Sequence, residues 1–107
     1  MIEKIFSFSS GNAKIIERIV EDDYAAINHM ILSRYDSLPE HNANSNVYMI
    51  IIRGSLALRL DDQAAREYTA GNIIAIPYRT RMNISNQGYE SAEFFVLKAP
   101  SPYQQNR

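Results

Sequence analysis

No cysteine occurs in the 107 residues, so disulfides, thiolate metal sites and cysteine nucleophiles are all excluded. The missing disulfide framework points to a reducing compartment, and the cytoplasm is the expected location. Neither charge sign is in surplus: 11 Lys and Arg face 12 Asp and Glu, for a net charge of -1. A chain so balanced has no basic field with which to neutralise nucleic-acid phosphates, and no acidic tail. Glu3 and Lys4 interrupt the start, which therefore does not read as a secretory signal. The longest apolar run, Val47 to Ile52, falls far short of the ~20 residues that a membrane-crossing helix needs. There is no Gly-rich phosphate loop, no Gly-x-Ser-x-Gly elbow and no His-Glu-x-x-His zinc motif. These absences argue against a nucleic-acid partner and a membrane partner, and leave no standard catalytic constellation.

What is present suits one globular domain spanning residues 1–107. Hydrophobic residues make up 46% of the chain and charged residues 21%, enough apolar material for a single core. Turn residues are evenly spread, at Ser10-Gly11-Asn12, Asp61-Asp62, Ala70-Gly71-Asn72 and Asn86-Gln87-Gly88, with short runs rich in Ile, Val, Leu, Tyr and Phe between them. Strands are predicted at Lys4 to Phe8, Ala26 to Arg34, Val47 to Arg53, Leu56 to Leu60, Asn72 to Ile76, Met82 to Asn86 and Ala92 to Lys98. Many short strands mean an all-β sandwich or barrel. Ile15, Ile16, Ile19 and Val20 are spaced as on an amphipathic helix, yet the run is dominated by β-branched residues and is assigned to a strand.

Val47 to Ile52 is apolar on both faces, with Val47, Met49 and Ile51 on one side and Tyr48, Ile50 and Ile52 on the other. One face fills the interior of a barrel. The other needs a cover, most economically a second copy of the chain, and a homodimer is expected.

From Gly71 to Asn86 the sequence resembles the second signature motif of the cupin superfamily, a Gly followed by Pro, Gly, His and Asn at fixed intervals. Gly71, Pro77 and Asn86 fit, while Arg79 stands at the second Gly and Met82 at the His. The first signature motif, counted back from Gly54, places its opening Gly at Tyr35, its two His at His41 and Ala43 and its Glu at Val47. Of these, only His41 and Gly54 fit. The two motifs cover residues 35–54 and 71–86. The resemblance implies a double-stranded β-helix, the RmlC-like jelly-roll barrel, with a strand where the helical spacing begins. The competing reading is another β-sandwich in which Gly71, Pro77 and Asn86 are ordinary turn residues.

The family's active members hold a transition metal through three His and one Glu. Here the matching positions are His41, Ala43, Val47 and Met82, of which Ala and Val cannot ligate and a thioether is a soft donor. The resemblance thus implies no cofactor, or at most a divalent transition metal held in a non-standard way, with His41 the sole retained ligand. The inward positions inferred from the motifs, Ala43, Val47, Met49, Met82 and Ile84, form an apolar, thioether-bearing lining suited to a small molecule or, equally, to a filled core. His41 is the candidate polar contact for such a ligand. His29 is a second candidate, in competition with a purely structural role. Arg79 and Arg81 are placed near the mouth as carboxylate partners or solvated charges, and surface roles are expected for Glu40 and Glu93. No residue is assigned a catalytic role. The reading is a metal-free small-molecule-binding, sensing or accessory protein; the rival is an enzyme, either a dioxygenase-like or isomerase-like metalloenzyme with non-standard ligands that include His41, with His29 a further candidate, or a metal-independent enzyme using His41 as acid or base.

Overall fold

The computed structural model describes residues 1–102, so the last five residues of the expected 1–107 domain lie outside the described part. Nine strands are present among the described residues: β1 Ile15–Glu21, β2 Ala26–Leu32, β3 His41–Asn42, β4 Val47–Arg53, β5 Ser55–Leu60, β6 Arg66–Thr69, β7 Ile73–Ile76, β8 Arg81–Ser85 and β9 Ala92–Lys98. They form two antiparallel sheets, one in the order β1-β2-β9-β4-β7 and the other β3-β8-β5-β6. Between them lies a core of Leu32, Val47, Met49, Ile51, Leu56, Leu58, Ile76, Ile84 and Phe94, with Met30, Ala43 and Met82 at its edge. This is the expected jelly-roll barrel.

Each strand enters the core on alternate residues, as a pleated chain must. Along β4, Val47, Met49 and Ile51 are buried while Tyr48 and Ile52 remain 41% and 46% exposed, so the outer face of the doubly apolar strand is left largely open in the single chain. In β1, residues before and after Ile19 change face, because the pairing passes from Arg18 opposite Asn28 to Val20 opposite Ile27. That β-bulge shifts the two-residue alternation by one and produces the spacing that imitates a helix.

Lys4 to Phe8, expected as a strand, pairs with none. Its end is held by a side chain instead: the Phe8 ring lies 4.9 Å from both His29 and Phe95 on the outer face of the larger sheet. Two short strands, β3 and β6, were not expected, since neither has an apolar run to announce it.

The turn backbone of the two signature motifs persists where the glycines do not. Tyr35 and Arg79 both adopt left-handed conformations, with φ of 69° and 76°. For a residue bearing a Cβ this costs on the order of 1–2 kcal/mol. Arg79 is exposed, and its backbone N–H donates to Ala43 O at 2.8 Å, a bond glycine would keep. Arg79→Gly is therefore expected to stabilise the fold by about 1 kcal/mol and raise Tm by roughly 4–8 °C in a thermal melt, against the usual direction for a substitution to glycine. A lower Tm would contradict the strain reading.

Asn86, the last position of the second motif, is fully buried. Its Nδ2 donates to Leu32 O at 2.9 Å and Glu90 O at 2.8 Å, and its Oδ1 accepts from the Gly88 N–H at 2.9 Å. One side chain thus bonds three backbone groups, of which the Leu32 carbonyl is buried.

Candidate functional site

The barrel interior opens into a cavity of about 40 Å³ lined by Asn28, Met30, Leu38, His41, Val47, Met49, Met82, Ile84, Val96 and Lys98. Five of the residues expected to face inward meet here: His41, Val47, Met49, Met82 and Ile84. Strand alternation accounts for the meeting. Val47 and Met49 share the inner face of β4, Met82 and Ile84 that of β8, and His41 sits directly opposite Met82 in the β3–β8 pair.

Two expected positions fall elsewhere. Ala43 is buried in the core at 2% exposure and does not line the cavity. His29 is on the wrong face. Its neighbours Asn28 and Met30 line the cavity, so His29 projects from the outside of the same sheet. There it is fully buried beneath Phe8, with Nδ1 2.7 Å from Glu17 Oε2 and Nε2 2.7 Å from Glu93 Oε2. Neither a purely backbone-bonded histidine nor a second interior imidazole describes it.

Glu93 also departs from its expected surface role: it is 13% exposed and pairs with both His29 and Arg53, the latter at 3.2 Å. Arg53 in turn donates to Asn12 Oδ1 and Gly11 O, both at 2.6 Å. Ser9 donates its amide and hydroxyl to Glu17. A line of hydrogen-bonded side chains, Glu17, His29, Glu93 and Arg53, thereby fastens the N-terminal segment to the sheet. The Ser9 hydroxyl and then His29 hold the Glu17 carboxyl below its ordinary value of 4.5.

At the cavity itself, His41 is exposed on one side, and its Nδ1 lies 2.9 Å from Pro39 O. A carbonyl only accepts, so Nδ1 carries the hydrogen, and in the neutral ring Nε2 is left as an acceptor. The expected arginines are otherwise engaged: Arg81 pairs with Glu40 at 3.0 Å and Asp62 at 2.8 Å, and Arg79 lies over the Tyr78 ring. The cation that does reach the cavity is Lys98, which continues the inward alternation of Phe94 and Val96 along β9. It is half-buried, and desolvation first, then the nearby Arg18 charge, lower its pKa, with Glu21 opposing. Lys98 was readable as inward from the alternation of β9, but a charged residue near a strand end reads as solvated.

Nine antiparallel strands wound into a two-sheet barrel with a cavity between the sheets define a double-stranded β-helix. The chain belongs to the RmlC-like cupin family. It is 40% identical over 107 residues to an uncharacterised protein of Methanocaldococcus jannaschii, covering 99% of this chain and 92% of that one. The crystal structure of that RmlC-like cupin family protein superimposes with a TM-score of 0.96, over 100% of this chain and 99% of the other. More distant structures share the fold: a double-stranded β-helix protein of Klebsiella pneumoniae, with 17% identity and a TM-score of 0.78 over 92% and 91% of the two chains; and a cupin superfamily protein of Desulfitobacterium hafniense, with 14% identity and 0.73 over 87% and 83%. No family model matches the chain.

The residues at the family's metal positions do not fit a divalent ion. Ala43 and Val47 carry no donor, Met82 offers a thioether, and His41 contributes one nitrogen. Among the described residues no three His, Cys, Asp or Glu side chains come together in a way that could hold a metal. A first-row ion gives up its water only to several such donors.

Proposed function

We propose that this cupin binds a small molecule in its barrel interior without a metal, and serves as a sensing or accessory protein in the cytoplasm. One observation carries the reading: three of the four signature positions that would ligate an ion, His41, Val47 and Met82, instead line a partly enclosed cavity whose walls are largely thioether and aliphatic. Three methionines, Met30, Met49 and Met82, adapt to an occupant by rotating about unbranched chains. At about 40 Å³ the cavity takes roughly three water-sized groups, since each needs ~10–15 Å³. The occupant is correspondingly small.

The experiment is methyl NMR with labelled methionine. The chain has four methionines, of which Met1 is exposed and far from the barrel interior in character, serving as an internal control. Titration with alcohols, amides and acids of two to four carbons is expected to shift Met30, Met49 and Met82 saturably and leave Met1 in place. If all four stay unmoved across the panel, the interior is packing and not a binding chamber.

We further propose a homodimer through the outer face of the larger sheet. Tyr48, Ile52 and Ile73 are 41%, 46% and 65% exposed there, and a second copy is the simplest cover for such a patch. Sedimentation of a monomer at micromolar concentration would refute it. Among the described residues no helix is long and apolar enough to cross a membrane.

A further inference from the structure

The interior cavity does not end at His41. A second recess of about 150 Å³, lined by Arg18, Glu21, Ala26, Asn28, Asn44, Lys98 and Pro102, shares Asn28 and Lys98 with it, so the two adjoin at those side chains. The inner chamber is aliphatic and thioether-lined. The outer recess carries two cations, one carboxylate and two side-chain amides, a net single positive charge.

We propose that this vestibule takes a carboxylate, and that the ligand of the barrel is a short aliphatic monocarboxylic acid whose tail lies among Met49, Met82 and Ile84. The inference rests on the reading of the interior as a binding chamber and adds the chemical class of its occupant. Three features select that class.

The first is the state of Lys98. Among the described residues its ammonium forms no ion pair, whereas Arg53 and Arg81 are each committed to carboxylates. Burial and the Arg18 charge both work against its protonated form. An anion held between Lys98 and Arg18 reverses both penalties, by replacing lost water with charge-assisted hydrogen bonds and by screening the two cations from each other.

The second is charge balance. Glu21 lines the same recess, so a monoanion neutralises the site while a phosphate dianion would overshoot it and meet the Glu21 carboxylate. The third is size. Space for roughly three water-sized groups behind Lys98 admits a chain of two to four carbons and refuses a sugar or an aromatic ring. Asn28, at the boundary, is placed to donate its amide to the same carboxylate.

The test compares butyrate with butyramide, its uncharged counterpart of the same shape, and with inorganic phosphate, read on the methionine methyl resonances. Wild-type protein is expected to bind butyrate at least about tenfold more tightly than butyramide, the size of one charge-assisted hydrogen bond. Lys98→Met, which keeps the apolar stem, is expected to abolish that preference, and Arg18→Gln, an exposed change that leaves the fold intact, to reduce it. Raised salt should weaken butyrate binding in the wild type. Equal affinity for acid and amide, or a preference untouched in both variants, would overturn the carboxylate assignment while leaving the chamber reading standing. Tighter binding of phosphate, without movement of Met49 and Met82, would overturn it as well, because the anion would then sit on the surface alone. Silence of the interior methyls toward every compound would remove the chamber and this proposal together.

Discussion

Gly54→Ala is expected to destabilise the protein by about 3 kcal/mol, lowering Tm by roughly 15 °C. Gly54 joins β4 to β5 with φ of 73°, a conformation that costs an alanine on the order of 1–2 kcal/mol. The larger part is steric. A Cβ built there would meet Ser91 O at 2.5 Å and Ala92 Cα at 3.0 Å, and both belong to the backbone, which cannot swing aside as the end of a side chain can. Relief would require β9 to move away from β4, at the edge of the pairing that runs through the centre of the larger sheet. Circular dichroism melts of the two proteins check this. A Tm within a few degrees of the wild type would show that the turn yields more easily than its geometry implies.

His29→Ala is expected to cost about 3 kcal/mol, for a different reason. The imidazole is fully buried between the Glu17 and Glu93 carboxyl groups, each 2.7 Å from one ring nitrogen, so both nitrogens are hydrogen-bonded. Without the ring, Glu17 and Glu93 both lose a hydrogen-bond partner at the edge of the core, and removing one member of such a set costs more than its bonds themselves contribute. Phe8 also loses the surface on which it rests. Release of the N-terminal segment should accompany the loss, visible as faster amide exchange at Ser9 and faster tryptic cleavage after Lys4. Acid should do the same to the wild type. Because the Glu17 carboxyl is held below 4.5, its contribution is complete above that pH and disappears as the pH falls through the lowered value. In His29→Ala one of the groups that depress it is gone, so protection at Ser9 should fail at a higher pH than in the wild type. An unchanged onset would separate His29 from the fastening of the segment.

The strands that carry the core were readable because their chemistry is local: alternation of large apolar residues in β4, β8 and β9 survives any uncertainty in topology. The signature spacing did more. Although Tyr35 and Arg79 replace glycine, the left-handed turns remain at those positions, so the spacing preserved a backbone shape that the residue types had concealed. By contrast, His29 lies in a strand that is largely apolar on both faces, with Ile27 and Ile31 beside it on one and Met30 and Leu32 on the other. No alternation could tell inside from outside, and only the neighbouring strand decides it. Lys4 to Phe8 has the composition of a strand but meets the sheet through the Phe8 ring and not through strand pairing, a distinction composition does not encode. Lys98 was passed over because a charge at a strand end is usually solvated; its burial depends on Arg18 and Glu21, which β1 delivers from some eighty residues away in sequence through a bulge.

At the centre of the account is the proposal that the barrel interior encloses a small molecule without a metal. The direct measurement is elemental analysis of protein purified without a metal-chelating tag, before and after incubation with Mn, Fe, Ni, Cu and Zn salts. Retained metal far below one equivalent per chain after gel filtration, with melting temperature indifferent to each ion, is the result expected. About one equivalent retained by the wild type and lost in His41→Ala would show that the barrel still gathers an ion, and would contradict it.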